Sequence, residues 1–281
     1  MECQRLRTVS AYIPSYNNEA SIAQAIESVR SQTCPVAELF VLDDASTDRT
    51  TDIVKSLGVT LVRNTETQGR GAVRAKAINT AQHDLVLTCD ANKSLAPDFL
   101  EKSLEWLDDK QVAAVHGRLV QSSSQGIAER WRGRHLFKTD SQPHVSHAAL
   151  HFSAGAVVKK QIVLSVGNYN EARIYSEDKE LGTRLLSAGF DVIFDPQLLI
   201  TATAQNSVIE VLERYWRWHE DIDHQASLRN YLRQIVYSIK VMAIADLRAG
   251  DPLSVPISLA SPHYQFWKSW RRQQQRRSTT N

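Results

Sequence analysis

From about residue 8 to residue 107, short apolar runs alternate with stretches of helical spacing, and this rhythm restricts the fold more than any other feature of the chain. Residues 8–13, 38–42, 59–63 and 84–89 read as buried strands. Between them, residues 19–32 place Ile22, Ala25, Ile26 and Val29 at helical spacing. A second helix, capped at Ser46 or Thr47 with Asp48 in its first turn, extends to about Leu57. Residues 71–81 and 97–107 supply two more helices, the last with Pro97 near its first position. Strands alternating with such helices form βαβ units and a mainly parallel sheet. Right-handed crossovers then gather the strand ends carrying Asp43, Asp44 and Asp90 along one edge, where open α/β sheets bind ligands.

Past residue 120 the rhythm breaks. Residues 121–151 are polar, carry Ser122, Ser123 and Ser124, and read as an irregular insertion over the site. His135, His144, His147 and His151 show no metal-ligand spacing there and read as solvated loop residues. Regular structure is expected again as a helix over 177–188, a strand over 190–194, and helices over 208–218 and 228–247. A chain of 281 residues accommodates one large α/β domain with a helical appendage, here assigned to 1–222 and 223–281. The net charge of +2 gives no case for a nucleic-acid partner. The last fourteen residues nevertheless carry +5 through Lys268, Arg271, Arg272, Arg276 and Arg277, interleaved with Tyr264, Phe266, Trp267 and Trp270. Such a tail suits an anionic membrane interface, or a packed or disordered C-terminus. Cys3, Cys34 and Cys89 are too scattered for a disulfide framework and are expected as unpaired thiols in a reducing cytosol. No apolar leader core is evident, and Lys240 and Asp246 interrupt the longest apolar stretch, residues 235–247.

The segment LVLTCDANKSLAPDFL, residues 85–100, carries the sharpest chemical signal. Its strand ends on Asp90, but two residues on stands Asn92 in place of a second acid, followed by Lys93. Asp43 and Asp44 suit a nucleobase imide and ribose hydroxyls as hydrogen-bond donors, or else cap the following helix. Ser176-Glu177-Asp178 opens a helix whose N-terminus keeps a carboxylate ionised, ready as a base or simply complementing the helix dipole.

Four stretches in the right order resemble the family 2 glycosyltransferases, inverting enzymes with the nucleotide-sugar-binding fold called GT-A. VSAYIPSYNNEASIAQAIESVRSQ is similar to that family's opening strand and helix, and LFVLDDASTDRT to its second strand and acidic turn. LVLTCDANKSLAPDFLE stands where the family has its metal-binding Asp-x-Asp segment. FSAGAVVKKQIVLSVGNYNEARIYSEDKELGTRLLSAGFDVIFDP resembles the acceptor-side region with a Glu-Asp pair. The resemblance covers roughly residues 8–222.

It implies a three-layer α/β/α sandwich with a mainly parallel central sheet and a C-terminal helical extension. The implied activity moves a sugar from a nucleoside diphosphate sugar, expected as UDP-linked, to an acceptor hydroxyl in glycan or polysaccharide biosynthesis. In this pattern Asp178 is the base and Glu177 orients the acceptor or its loop. Pro14, Asp43, Asp44, Arg74, Asp90, Asn92 and Lys93 lie on the donor side, and Gly155, Arg214, Arg217 and Trp218 on the acceptor and diphosphate side. Arg74 would meet a phosphate or hold Asp90, or else is a surface helix arginine; Arg214, Arg217 and Trp218 equally suit a packing helix. The partners implied are the sugar-nucleotide donor, a glycan or lipid-linked acceptor and, through the tail, the inner face of a membrane in a cytoplasmic protein.

Three departures qualify the pattern. Asn92 brings no charge, residues 199–204 lack the family's downstream His, and Ala75 stands where Asn is common. Mn2+ or Mg2+ held by Asp90 and Asn92 is therefore expected to bind weakly. Lys93 offers a substitute: an ammonium about 4 Å from a phosphate oxygen contributes roughly 4 kcal/mol at an effective dielectric near 20. The altered segment also admits a catalytically silent nucleotide-sugar-binding protein. A nucleotidyltransferase is a weaker fit, since no Gly-rich phosphate loop follows Ile13.

Overall fold

The computed structural model describes residues 7–121, 126–139, 142–150, 152, 154–203, 206–219 and 227–279. The expected alternation opens it: β1 (Val9–Ser15), α1 (Ile22–Arg30), β2 (Glu38–Asp43), α2 (Thr50–Ser56), β3 (Thr60–Arg63), α3 (Arg70–Thr80) and β4 (Leu85–Cys89). A short β5 (Lys93–Leu95), α4 (Phe99–Trp106), β6 (Val112–Gln121) and α5 (Ile127–Arg132) follow. Then come β7 (Gly155–Lys159), α6 (Lys160–Ser165), α7 (Glu177–Ser187), β8 (Asp191–Ala202), α8 (Val208–His219), α9 (Leu228–Tyr237), α10 (Ile244–Arg248) and α11 (Val255–Thr279).

Eight strands form one sheet in the order β3-β2-β1-β4-β7-β6-β8-β5. The first four are parallel, as is the β6–β8 pair, while β7 runs against both its neighbours and β5 against β8. Strand residues alternate between two apolar layers. Ile13, Val41 and Leu87 meet Ile22, Ile26, Val29 and Leu100 on one face. Tyr12, Phe40 and Val86 meet Val73, Ile78 and Leu181 on the other. This is the three-layer α/β/α arrangement that the pattern predicts, built on period-2 strands and amphipathic helices.

Details of the backbone differ from the sequence reading for identifiable reasons. Pro14 does not end β1, because pairing to β4 stops at Tyr12 and the ring leaves no ladder donor missing on that side. The helix expected from Ser46 starts at Thr50, because Ser46 is bound to Asp43 and it is Asp48 that accepts from the Thr50 N–H at 3.0 Å. β8 continues well past Phe194: the register to β6 jumps from Gly117↔Asp195 to Arg118↔Leu199, a bulge that absorbs Pro196. A methyl on Gly117 would lie 2.0 Å from the Leu198 carbonyl oxygen, so only glycine fits there.

The chain divides into two compact units, Met1–Ser122 with Gln142–Ala204, and Ser123–Ser141 with Gln205–Asn281. The division differs from the expected one at residue 222, because residues 123–141 group with the C-terminal helices. There α5 runs into a widened turn at Gly133–Phe137, and Trp131 packs fully buried, 5.2 Å from the ring of Tyr215. Within the first unit, residues 142–150 run beside β8 through the bridges Ser146↔Phe194 and Ala148↔Val192. The helix expected over 228–247 is interrupted by a π-type turn at Ser238–Ala243, and the tail is helical as α11. Cys34 is disulfide-bonded and Cys89 is a buried free thiol, so the expectation of three unpaired thiols does not hold. His151 and Ala204 lie outside the described residues. Among the described residues, no helix is long and apolar enough to cross a membrane.

Candidate active site

The carboxyl ends of β2, β1 and β4 stand side by side and deliver Asp43, Ser15 and Asp90 to one edge of the first unit. Asp43 is fully buried; it accepts from the Ser46 N–H at 3.0 Å and from the Ser46 hydroxyl, and pairs with the Arg63 guanidinium at 3.3 Å. Asp44 accepts from Asn64 Nδ2 at 2.8 Å and from the backbone N–H groups of Gln68 at 2.9 Å and Gly69 at 3.0 Å. Neither acid caps α2. Asp44 instead fastens the loop that leads into α3, and so sets where Arg74 stands.

Arg74 is the centre of the arrangement. Its side chain is 2% exposed, which removes the surface-arginine reading. Its Nε donates to Glu177 at 3.0 Å and one terminal nitrogen to Asp90 at 2.8 Å. The other terminal nitrogen reaches the Thr88 hydroxyl at 3.1 Å and the Tyr12 hydroxyl at 3.3 Å. Burying a guanidinium is tolerable only when it is paired and hydrogen-bonded in this way. Burial alone would pull its pKa down, but Tyr12, Asp90 and Glu177 outweigh it and hold the charge firmly. The fork thus ties the strand-end carboxylate to the Glu-Asp pair of α7, with Arg74 reaching Glu177 across 103 residues of sequence.

Glu177 and Asp178 are both buried at the first turn of α7. Ser176, just before them, has the left-handed backbone (φ 55°) that non-glycine residues adopt only under local constraint. Burial raises the Glu177 pKa, Arg74 opposes the rise, and the neighbouring Asp178 adds to it. Asp178 accepts from the Phe152 N–H at 3.2 Å and the Lys179 N–H at 2.9 Å. The loop before this turn is docked on α3: the Gly71 N–H donates to the Arg173 carbonyl at 2.9 Å, and a methyl on Gly71 would fall 2.1 Å from the Asn170 carbonyl oxygen.

Sequence reasoning missed Tyr169, Tyr12 and Thr88. Burial pushes the Tyr169 phenol well up, with Tyr12, Asp178 and Glu177 adding to the rise and Arg74 opposing it. Polar-tipped Tyr12 and Thr88 inside buried strands are the signal that was available.

Lys93 is buried at 3% exposure on β5, opposite Ala202, and is no solvated loop residue. Its ammonium donates to the Asn92 side-chain oxygen and lies 3.4 Å from the Asn92 carbonyl. One Asp90 carboxylate oxygen therefore already faces the Arg74 guanidinium, and the Asn92 side-chain oxygen faces the Lys93 ammonium. Among the described residues, no three His, Cys, Asp or Glu side chains come together as a metal site. These two cations work against a divalent metal at the Asp90–Asn92 pair as built. Nearby, the Thr203 N–H donates to the Asn92 carbonyl at 3.2 Å, and the buried Thr203 hydroxyl has no hydrogen-bond partner among the described residues.

The remaining expected residues separate. Pro14 lies half-buried in β1 beside Leu42. Gly155 pairs with Cys89, and a methyl there would sit 2.8 Å from Leu95 and 3.0 Å from Ile200, so it serves close packing of the sheet. Arg214, Arg217 and Trp218 belong to α8 in the second unit, where the Trp218 ring lies 6.0 Å from Phe137. His135 is bound to Asp246 at 2.7 Å, and only 7% of its side chain is exposed, so it is not a solvated loop residue. His147 bonds Asp191 at 2.9 Å.

Residues 10–162, more than half of the chain, match the family described as Glycosyl transferase family 2. Over 130 residues the chain is 32% identical to a hyaluronan synthase of Streptococcus pyogenes, a stretch covering 42% of this chain and 30% of that protein. It is 29% identical over 123 residues to an uncharacterized glycosyltransferase of Haemophilus influenzae, covering 42% of this chain and 49% of the relative. The matched stretches thus span less than half the length of these curated relatives. Among solved structures, the mannosyltransferase PcManGT of Pyrobaculum calidifontis, in complex with GDP-Man and Mn2+, superimposes with a TM-score of 0.60 at 20% identity, covering 90% of this chain and 73% of that one. S. aureus TarS 1-349 in complex with UDP-GlcNAc gives 0.56 at 15% identity, covering 94% and 89%. At these identities the likeness is one of fold.

Proposed function

This chain belongs to glycosyl transferase family 2, and from that we propose that it transfers a sugar, with inversion, from a nucleoside diphosphate sugar to an acceptor hydroxyl. The observation that carries the reading is the buried Arg74 fork, which couples Asp90 at the strand edge to Glu177 at the head of α7. Asp90, 25% exposed, marks the donor end, and Asp178 beside Glu177 marks the acceptor end. Asp43, Asp44 and Pro14 shape the nucleotide side. A UDP-linked donor in glycan or polysaccharide biosynthesis is the favoured choice, supported by the UDP-GlcNAc complex of TarS and the match to hyaluronan synthase.

In this reaction the acceptor oxygen bonds to the anomeric carbon as the bond from that carbon to the diphosphate breaks. The acceptor proton passes to the Asp178 carboxylate, while Glu177, held by Arg74, keeps the pair in place. The departing diphosphate gains negative charge. Lys93 meets that charge by moving from the Asn92 amide to a phosphate oxygen, an interaction of roughly 4 kcal/mol at an effective dielectric near 20. No step passes through a metal ion.

The test is a donor screen for transfer with UDP- and GDP-sugars, combined with calorimetric titration of the nucleotides. Asp178→Asn is expected to lower transfer by about a hundredfold or more, the scale of a lost general base, and to leave nucleotide binding within about twofold. Near-normal transfer in that variant refutes the base assignment. The internal pairing of Asp90 and Asn92 also favours a second reading, a catalytically silent nucleotide-sugar binder; nucleotide binding without transfer from any donor decides for it.

A further inference from the structure

We propose that the exposed face of α9 and α10 in the helical unit is a membrane-binding surface that lies on anionic lipid. The proposal is independent of the reading of the active site. None of the residues of α9 is buried, although the helix has a continuous apolar stripe. Leu228, Leu232, Val236 and Ile239 recur at the i, i+4, i+8, i+11 spacing of one helical face, and each is about half or more exposed. The opposite side of α9 does the packing: the Tyr231 hydroxyl bonds His263 at 2.7 Å and its ring lies 4.7 Å from Phe266 in α11. An amphipathic helix normally turns its apolar stripe to the core; this one turns it away. The widened turn at Ser238–Ala243 and α10 continue the exposed apolar surface through Ile244 and Leu247. More than half of the exposed large apolar side chains among the described residues fall between residues 228 and 270.

Charge identifies the occupant. Arg229, Arg233, Lys240 and Arg248 are exposed along the same elements. The acids of residues 227–279, Asp246 and Asp251, are both buried and engaged by Arg134 and Arg130 inside the unit. Among the described residues of α9, the turn after it and α10, the exposed charge beside the stripe is therefore of one sign. Two copies meeting on this face would oppose arginine to arginine with no exposed acid of residues 227–279 to pair them. A bilayer with anionic headgroups accepts both features, taking the apolar side chains at the acyl boundary while the cations reach the phosphates. No described helix is long and apolar enough to cross, so this surface lies on the membrane instead of spanning it. Trp267 and Trp270, both exposed on α11, belong to the same unit, but the stripe of α9 and not the tail is the principal contact.

The experiment is co-sedimentation of the full chain with vesicles of phosphatidylcholine and phosphatidylglycerol, with phosphatidylcholine vesicles as the control. The unaltered chain is expected to bind the anionic vesicles and to lose that binding as salt rises. Leu232→Asp combined with Val236→Asp, and separately Arg229→Glu combined with Arg233→Glu, should each weaken binding about tenfold or more, from lost apolar burial and lost headgroup attraction. All four positions are exposed, so far-ultraviolet circular dichroism should be unchanged. The proposal is overturned if the unaltered chain stays in the supernatant, or if both double variants bind like it. Loss of binding only in Trp267→Ala with Trp270→Ala would assign the contact to the tail and overturn it too. A dimer in sedimentation velocity that the Asp variants dissociate, without vesicle binding, would give the face to a second copy and equally end it.

Discussion

Arg74 and Lys93 are two buried cations, each fastened to an oxygen where a metal ion would be sought. Placing ions in the interior costs several kcal/mol each unless partners compensate, so the pairing is strong physical evidence about what this site is built to hold. If Lys93 serves the departing diphosphate, transfer persists in excess chelator, and Lys93→Ala lowers the rate by about a hundredfold or more, within the roughly 4 kcal/mol of one close charge pair at an effective dielectric near 20. Loss of transfer on chelation, restored by manganese, would show instead that the Asp90–Asn92 pair reopens around a metal. Part of this was legible beforehand: Asp90, Asn92 and Lys93 stand in one short segment, and Arg74 sits four residues before Ile78 on the buried face of α3. A charge on an apolar helix face asks for a buried partner. Which partner answers is a property of folding, because Glu177 arrives from another element.

At the scale of elements, the site depends on how closely α3 and the 170–176 loop approach. Gly71 is the contact point, where any β-carbon meets the Asn170 and Arg173 carbonyls. Gly71→Ala should therefore cost about 1–3 kcal/mol of stability, the range for overpacked sites, read as a lower urea midpoint. Nucleotide affinity should fall with it, because the same displacement moves Arg74; unchanged affinity would separate the loop from the donor end. The helices of the first half follow from apolar periodicity within a few residues. Strands β5 and β8 do not. β8 passes its proline through a bulge, and β5 pairs at the far edge of the sheet although it follows β4 by three residues in sequence. Neither feature has a local signature, since both are set by strands distant in the chain.

At the scale of the molecule, the helical unit is assembled from two separate stretches around a polar core. Asp246 accepts from Arg134, from His135 at 2.7 Å and from Ser258 at 2.6 Å, and the same serine hydroxyl takes the Trp131 indole N–H at 2.8 Å. Asp251 receives Arg130 through two bonds of 2.9 Å. The Arg130 bonds, opposed by burial, hold Asp251 well below the usual carboxylate range. Burial would raise Asp246, but its bonds to His135, Ser258 and Arg134 win and lower it. A carboxylate with a depressed folded-state pKa stabilises fully above its unfolded value, near 4, and loses that contribution as pH falls through the folded value. The helical unit is thus expected to lose stability below about pH 4, followed by the fluorescence of Trp131 and Trp216, both buried within it. Asp251→Asn should flatten that pH dependence; an unchanged acid midpoint would show that other groups control it. The sequence by itself determined the alternation of strands and helices, the edge where Asp43 and Asp90 gather, and the basic aromatic character of the C-terminus. Tertiary structure alone decided that Arg74 spans Asp90 and Glu177, that Lys93 holds Asn92, that residues 123–141 join the C-terminal helices, and that α9 turns its apolar stripe outward. The physical reason is range: periodicity and caps act over a few residues, whereas the burial and pairing of charges depend on which distant segments pack together.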